Sequence, residues 1–221
     1  MGTKHVGTAV VLHLLARLAY HKQQDEEAET LFLDALSLKK RILCVDHPSL
    51  AITLDALAQL YQKQHRWAEA EMQYREALRI RESLVGETHL LTAESLDHLA
   101  SCYWEQGKFH QAEELLMRAL TIREQVCGPN HPTMALSFHQ WARLFCAEQR
   151  WEEAEGMYQR ALAIRARAFE WKHPAVQSVV RGYAQVLRLM HRDEEAQVLE
   201  HRSEGQDGTS EGKRVSYPIS V

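Results

Sequence analysis

The sequence predicts an all-α array of helical hairpins, and three observations lead to this fold class. Three residue columns recur at a constant spacing of 42 residues. Within each spacing, apolar residues recur twice with the i, i+3, i+4, i+7 pattern of an α-helix. In the third unit, Gly107 separates the two helical stretches. A fixed period of this length is typical of arrays in which each unit packs only against its neighbours.

The columns define about five units, and they run through the array without a slip. One column consists of His5, His47, His89, His131 and His173. The two alanine columns are Ala16, Ala58, Ala100, Ala142 and Ala184, and Ala28, Ala70, Ala112, Ala154 and Ala196. The predicted units are residues 9–50, 51–92, 93–134, 135–176 and, in part, 177–203.

The third unit shows both helices of the hairpin clearly. One face of its first helix carries Leu96, Leu99, Ala100 and Tyr103. One face of its second helix carries Ala112, Leu115, Leu116, Ala119 and Ile122. We expect the alanine columns to bring the two helices close together, because larger side chains there would overpack the interface.

Charges and helix-starting residues agree with this division. The second helix of each unit begins with acidic residues, as at Glu113, and ends with basic ones, as at Arg123, which suits the helix dipole. A proline follows the histidine at Pro48, Pro132 and Pro174, and proline is tolerated in the first turn of a helix. The histidine column is therefore interpreted as capping the first helix of the next unit. Stacked units are about 10 Å apart, too far for neighbouring histidines to share a metal ion.

The two ends of the sequence depart from the regular pattern. Residues 1–8 are in register with the later inter-unit loops, so we expect a remnant of such a loop there. Either the array simply begins at this point, or it is the C-terminal part of a longer array. Residues 204–221 are polar and rich in glycine, which predicts a disordered C-terminal tail.

Composition and motifs exclude several functional classes. The net charge of −4 provides no basic field for nucleic acid, and no apolar run is long enough for a membrane helix. The four cysteines form no C-x-x-C pair, which favours free thiols in a reducing compartment, the cytoplasm. No phosphate-binding loop, nucleophile elbow or zinc-protease motif is present. We therefore expect no enzyme activity, no cofactor and no metal site.

The pattern Leu96-x-x-Leu99-Ala100-x-x-Tyr103, followed by Ala112, Leu116 and Ala119, resembles a tetratricopeptide repeat. The 42-residue length and the Gly-x-x-His-Pro ending resemble the subtype of kinesin light chains and nephrocystin-3-like proteins. The resemblance spans roughly residues 5–203 and implies a right-handed superhelical solenoid of antiparallel helical hairpins. It also implies a concave groove lined by the first helix of each unit.

Positions transferred from this family place three polar rows in the groove. The candidate partner-binding residues are His13, Arg17, Asp55, Gln59, Asp97, Ser101, Trp104, His139, Arg143, Arg181 and Arg188. The lining is expected to be acidic near the middle and more basic toward its C-terminal end. The only asparagine, Asn130, lies in a loop, so the groove lacks the asparagines with which such domains hold a peptide backbone. This absence argues against a clamp for chaperone tails and puts cargo recognition of the kinesin kind in doubt.

The sequence therefore predicts a non-catalytic adaptor or scaffold that holds a peptide or helix of another protein in its groove. A cytoskeletal or ciliary association is implied by the family resemblance alone. A second hypothesis is structural: the units extend a longer array, or associate with another copy of the chain.

Overall fold

The computed structural model describes residues 2–204, with side chains from residue 6, and this part of the chain contains helices but no β-strand. The helices form five consecutive pairs. Their bounds are α1 Gly2–His21, α2 Asp25–Ile42, α3 Pro48–Lys63, α4 Trp67–Val85, α5 Leu90–Glu105, α6 Phe109–Cys127, α7 Pro132–Ala147, α8 Trp151–Ala168, α9 Pro174–Leu189 and α10 Asp193–Glu204.

Each odd-numbered helix packs against the following even-numbered helix to form an antiparallel hairpin. The even-numbered helix then packs against the first helix of the next hairpin, so the hairpins stack in chain order. The predicted all-α solenoid of helical hairpins is therefore confirmed. None of the ten helices is long and apolar enough to cross a lipid bilayer.

The histidine column caps the first helices, as predicted. In each of four units, the Nδ1 atom of the histidine accepts a hydrogen bond from the backbone N–H two residues later, which would otherwise lack a partner. The four pairs are His47 with Ser49 at 3.1 Å, His89 with Leu91 at 3.1 Å, His131 with Thr133 at 3.3 Å and His173 with Ala175 at 3.1 Å. In three of them, proline occupies the first turn.

Both alanine columns lie at the centre of the core. All of their members are at most 1 % exposed, so no space remains for a larger side chain. Trp141, which replaces leucine in a core column, is buried as expected. The aromatic residues Tyr61, Tyr103 and Phe145 are also buried in the core. The repeated small residues thus set the close approach of the helices within each hairpin.

A row of ion pairs joins successive hairpins at their turns. A glutamate in the second helix of one unit faces a basic residue at the turn of the next unit. The pairs are Glu29–Arg66 at 2.7 Å, Glu71–Lys108 at 3.4 Å, Glu113–Arg150 at 4.0 Å and Glu155–Arg192 at 2.7 Å. We refer to these four pairs as the turn ladder. Because its members are partly exposed, each pair contributes less than about 1 kcal/mol, but together they favour one stacking register.

The predictions for the two chain ends need correction. Residues 1–8 were expected to form a loop, but the backbone is helical from Gly2 onward. Val6 stands where three later units have proline, so its N–H is available for a helical hydrogen bond. At the other end, Glu204 is the last residue of α10 and not part of a tail. The remainder of the predicted tail, 205–221, lies outside the described residues.

The hairpin turns share one unusual backbone conformation. Gly107 has a φ of 73°, and the residues at the same position of the other units have φ between 59° and 62°. They are Gln23, His65, Gln149 and His191. In this left-handed region a side chain costs roughly 1–2 kcal/mol, whereas glycine is tolerated.

We expect Gln149→Gly to stabilise the fold by about 1 kcal/mol, because Gln149 is exposed and has a φ of 60°. Gly107→Ala should destabilise the fold by a similar amount. Urea unfolding followed by circular dichroism measures both changes. The control is Ala147→Gly in the last turn of α7, which should be destabilising. If glycine is stabilising there too, the left-handed backbone of Gln149 is not the cause of the stabilisation.

Candidate functional site

The odd-numbered helices form the concave side of the array. The backbone of each of them approaches that of the next odd-numbered helix, as in α3 with α5. Within residues 2–204, no two successive even-numbered helices come within 8 Å of each other between Cα atoms, although the long side chain of Arg118 in α6 reaches Glu82 in α4. The array therefore curves with its first helices inside. An open cavity of about 410 Å³ lies on this side, a size that fits several side chains of a ligand. Its lining comprises Tyr20, Gln59, Gln62, Lys63, His65, Tyr74, Asp97, His98, Ser101, Glu105 and Gln140.

The amide of Gln62 is held in position across the floor of this cavity. Its oxygen accepts a hydrogen bond from the Tyr74 hydroxyl at 3.0 Å, and its nitrogen donates to Ser101 Oγ at 3.3 Å. Tyr74 is buried, and burial raises the pKa of its hydroxyl, so the hydroxyl remains a hydrogen-bond donor. The floor therefore presents oriented polar groups.

Trp104 and Arg143 form a stacked pair beside the cavity. The Arg143 guanidinium carbon lies 4.5 Å from the centre of the indole ring, within the range of a cation–π interaction. Both side chains are half-buried, and Arg143 also donates to Gln140 Oε1 at 3.4 Å. The Trp104 Nε1 atom has no hydrogen-bond partner within the described part of the chain.

A buried cation near the end of each of the second helices α2, α4, α6 and α8 ties two units together. The clearest case is Arg123, which donates to both carboxylate oxygens of Asp97, at 3.2 and 2.5 Å. The same guanidinium donates to Ser137 Oγ at 2.6 Å. Asp97 belongs to the first helix of the same unit, and Ser137 to that of the next. The Arg123 and Asp97 side chains are 3 % and 5 % exposed, so one cation interlocks three helices in the core.

The first, second and fourth units repeat this arrangement, which we call the buried-cation ladder. Arg81 donates to Asp55 and to Ser95 of the next unit. Lys39 donates to Thr53 Oγ1 at 2.7 Å and to the Ser49 carbonyl at 3.1 Å. Arg165 donates to Ser178 Oγ at 2.9 Å and to the Ala175 carbonyl. The position of these basic residues at the helix ends predicts a favourable interaction with the helix dipole. In the structure they also join neighbouring units by hydrogen bonds.

Two histidines occupy the ladder positions that hold aspartate in the central units. The Nδ1 atom of His13 lies 3.3 Å from Thr53 Oγ1. Burial, together with Lys39 and Arg17, lowers the pKa of His13 to about 4. Burial, with Arg165 and Arg143, likewise lowers the pKa of His139 to about 4. Both rings are therefore neutral at physiological pH and cannot neutralise their neighbouring cations.

The structure corrects the predicted groove for three residues. His13, Asp55 and Asp97 are 7 %, 6 % and 5 % exposed, and their polar atoms face the buried-cation ladder. Asp97 borders the cavity, but both of its carboxylate oxygens are bonded to Arg123. These side chains are thus structural. The helical period places them on the inner side, but it does not show that a cation from the second helix reaches them.

The other eight predicted residues differ in accessibility. Arg17, Gln59, Arg181 and Arg188 are exposed, and Ser101, Trp104, His139 and Arg143 are half-buried. Arg188 forms an ion pair with Glu200 at 2.5 Å. The cavity brings Gln59 and Ser101 together, with Trp104 and Arg143 beside them.

Eight of the eleven residues that line the cavity were absent from the predicted set, and His98 and Tyr74 show two reasons for this. His98 follows Asp97, and its Nδ1 atom lies 4.0 Å from Asp55 Oδ1. The position is an inner one, since Gln140 lines the cavity one unit later, so a wider helical window would have found it. Tyr74 comes from a second helix, and nothing in the period indicates that its hydroxyl reaches the inner side. Within residues 2–204, no three His, Cys, Asp or Glu side chains are grouped as metal ligands.

Ion pairing reduces the acidic charge that the sequence predicted for the middle of the groove. Asp55 and Asp97 are neutralised by ladder arginines, so Glu94 and Glu105 are the exposed acids of the middle. Among the described residues, neither forms an ion pair, and the same holds for Arg17, Arg143 and Arg181. The three arginines therefore make the accessible inner surface slightly basic.

Sequence models of the tetratricopeptide repeat family match this chain. One model matches residues 49–125, 91–166 and 133–203, and a second matches residues 8–49. The matches together cover nearly all of the described chain. A comparison with curated protein sequences gives no match.

Solved structures show the same fold. The crystal structure of BtubC (BKLC) from P. vanneervenii has a TM-score of 0.76 at 22 % identity, and the match covers 98 % of this chain and 88 % of that one. A putative kinesin light chain of Podosopora anserina with nearly identical TPR-like repeats has a TM-score of 0.71 at 25 % identity, covering 88 % and 92 %. A second crystal structure, of a single-residue variant of that protein, has a TM-score of 0.75 at 24 % identity, covering 91 % and 95 %.

We expect Asp97→Ala to destabilise the fold by about 3 kcal/mol, because it leaves the Arg123 guanidinium buried without its carboxylate. Chemical denaturation with urea gives the change. The double variant Asp97→Leu/Arg123→Met should be less destabilised than the single one, because it removes both charges. Equal losses in the two proteins would show that the cation is not the cause.

Acid should weaken the fold through His139. The folded pKa of about 4 lies below the unfolded value of about 6.5, so the unfolded state binds the proton first as the pH falls. Stability is therefore unaffected above pH ~6.5 and declines between pH ~6.5 and ~4, by at most about 1.4 kcal/mol per pH unit. Urea unfolding across this range should show a shallower decline for His139→Gln than for the wild type. If the unfolding free energies of the two proteins decline in parallel with falling pH, His139 does not contribute to the acid destabilisation.

Proposed function

Because the chain belongs to the tetratricopeptide repeat family and its repeats are of the kinesin light chain-like type, we propose that it is a non-catalytic adaptor that binds an extended peptide segment of a partner protein. The peptide lies in the concave groove between α1 and α7. Binding is reversible and involves no bond chemistry. The family supplies the class of function, a protein-interaction scaffold, and the geometry of the groove supports the kind of ligand.

The open cavity on the inner side is the observation that carries this proposal. Its rim offers the Gln59 and Gln140 amides, and its floor offers the Gln62 amide that Tyr74 and Ser101 hold in place. Side-chain amides both donate and accept hydrogen bonds, as the backbone of an extended peptide requires. The sequence has no asparagine in the groove, so in our proposal these glutamines make the hydrogen bonds to the peptide backbone.

The Trp104–Arg143 pair supplies an anchor for a ligand side chain. Tryptophan and arginine are the residue types that contribute most often to binding hot spots. Arg143 makes no ion pair with a described residue, so it is available to an acidic side chain of the peptide. Arg17 and Arg181 extend the positive charge along the groove. We therefore propose that the preferred peptide combines an acidic residue with an apolar one that packs beside Trp104.

The cysteines support the absence of nucleophilic catalysis. Burial raises the pKa of the Cys146 thiol above the usual value. Burial also raises the pKa of Cys102. A thiol with a raised pKa is mostly protonated at neutral pH and is a weak nucleophile. All four cysteines are free, which fits a reducing compartment, and we propose the cytoplasm as the location of the protein.

The groove can be tested with a random peptide display library and the immobilised protein. We expect selected peptides to be enriched in Asp and Glu and to bind with micromolar dissociation constants, roughly −8 kcal/mol. Fluorescence anisotropy should show at least tenfold weaker binding to Trp104→Ala/Arg143→Glu, because both the stacking surface and the charge are lost.

The chain contains a matched control for this variant. Arg202 stacks on Trp171 at 4.5 Å, the same distance as in the groove pair, but at the C-terminal end of the array. Trp171→Ala/Arg202→Glu should leave peptide affinity unchanged. Equal affinity for the groove variant and the wild type would contradict the groove assignment. Equal weakening by both variants would point to a general loss of structure.

A further inference from the structure

Helices α7 and α9, which form the C-terminal half of the groove, carry no acidic residue. Helix α5 contains Glu94, Asp97 and Glu105, whereas every charged side chain on α7 and α9 is basic. Two of these basic residues, Arg143 and Arg181, form no ion pair within the described residues. This half of the groove therefore carries positive charge that no carboxylate of the array compensates.

Arg165 of α8 adds a third cation, and it lacks the carboxylate that the central units provide. In the second and third units, the ladder arginine pairs with an aspartate of its own unit. His139 occupies this position in the fourth unit, and the hydrogen bonds of Arg165 to described residues go to uncharged groups, the Ala175 carbonyl and Ser178 Oγ. Burial lowers the pKa of Arg165, and no acidic group in the described part of the chain offsets this effect. Arg165 is thus a partly desolvated cation without an anion.

Part of the Arg165 guanidinium remains open to a ligand. Both of its hydrogen bonds use Nη1, so Nη2 and Nε have no partner among the described residues. The buried polar atoms that lack a partner in this part of the chain all belong to other residues, so these two nitrogens reach solvent. The equivalent cation of the first unit differs, because Lys39 is 3 % exposed and donates to two partners. The fourth unit therefore offers a ladder cation that a ligand can reach.

The three arginines approach His139 and the neighbouring turn of α9. Burial lowers the pKa of His139 to about 4, with further contributions from Arg165 and Arg143, so both cations lie near its ring. Arg181 lies one helical turn after Ser178, the residue that accepts a hydrogen bond from Arg165. We call Arg143, Arg165 and Arg181 the arginine site.

The floor beside the arginine site is uncharged. The Tyr158 ring lies 5.7 Å from the ring of His139, and the Tyr158 hydroxyl lies against the backbone of Gly182. A Cβ atom at Gly182 would come within 2.5 Å of this hydroxyl, so glycine leaves the room that the tyrosine fills. In the two preceding units, the same position holds His98 and Gln140, whose side chains line the cavity. Burial raises the pKa of Tyr158, so its hydroxyl adds no negative charge to the floor.

We propose that the arginine site binds a phosphoryl group carried by a serine or threonine of the groove peptide. The proposal rests on the proposed function, because the peptide is the one held in the groove. A phosphorylated serine has a charge of about −1.5 to −2 at neutral pH and three acceptor oxygens. These oxygens can accept hydrogen bonds from several guanidinium groups, each in the bidentate geometry that arginine provides. A carboxylate offers a single charge and two oxygens, so it compensates three cations less completely.

Fluorescence anisotropy with three pools of short peptides tests the proposal. The pools are degenerate except for a fixed central residue, which is phosphoserine, glutamate or serine. We expect the phosphoserine pool to bind the wild type at least about tenfold more tightly than the serine pool, with the glutamate pool in between. Arg181→Gln, a substitution of an exposed residue, should reduce this preference at least about threefold, because one of the three cations is lost.

Arg165→Gln should also reduce the preference, and circular dichroism checks that its helices are intact; if they are not, Arg181→Gln decides. The matched control is Arg41→Gln/Arg167→Gln, which removes two exposed arginines of one repeat column. Each lies two residues after a ladder cation, on the opposite side of its helix. This control should keep the full preference, although it loses more positive charge than either single variant.

Three results would overturn the proposal. The first is equal affinity of the wild type for the phosphoserine and serine pools, and the second is equal affinity for the phosphoserine and glutamate pools, since a single carboxylate would then suffice. The third is a preference that Arg181→Gln leaves unchanged or that the control reduces equally.

Trp104→Ala separates a failure of this proposal from a failure of the proposed function. If Trp104→Ala weakens binding of all three pools but the wild type shows no phosphoserine preference, the groove binds peptides and the phosphoryl proposal is wrong. If the phosphoserine preference depends on Arg181 but Trp104→Ala weakens no pool, the arginine site stands and the groove assignment is wrong. Absence of binding by every pool would refute both.

Discussion

The stacking of the hairpins depends on the buried cation near the end of α2, α4, α6 and α8. A cation in the core is unfavourable unless fixed partners surround it. Arg123 meets this requirement through Asp97 of its own unit and Ser137 of the next. Because the partners belong to different hairpins, a shift of one hairpin against the other would leave the charge unsatisfied. The apolar core supplies most of the attraction between units, and the cation ladder restricts them to one register.

The sequence predicted the hairpins well and the contacts between columns poorly. A constant 42-residue spacing identifies equivalent residues, and helical periodicity places each on a face, so the alanine core and the histidine caps could be predicted. The 42-residue period does not show which repeat positions are in contact with one another in the folded array. Arg123 lies 26 residues after Asp97 and 14 before Ser137, and these offsets depend on how the hairpins pack. For this reason Asp55 and Asp97 were expected in the open groove but are found beneath it.

Because Asp55 and Asp97 are paired with buried arginines, they contribute little negative charge to the exposed surface of the groove. The acidic middle of the groove is reduced to Glu94 and Glu105, while Arg143 keeps its charge and stacks on Trp104. The groove floor owes its order to the Tyr74–Gln62–Ser101 chain of hydrogen bonds, which spans two hairpins. Stacking and ligand recognition are therefore linked, since the same register that satisfies the cations also brings these three residues together.

The ladder is not uniform, and its variation has a mechanical consequence. The second and third units hold Arg–Asp pairs, whereas the first and fourth place His13 and His139 beside Lys39 and Arg165. In those outer units, burial lowers the pKa of both the cation and the neutral ring, so no carboxylate offsets the cost of the charge. Local stability of a repeat array is roughly a sum of unit and interface contributions. The interfaces around the cavity are consequently the stronger ones, and opening of the array starts more easily at the outer hairpins, leaving the groove floor intact.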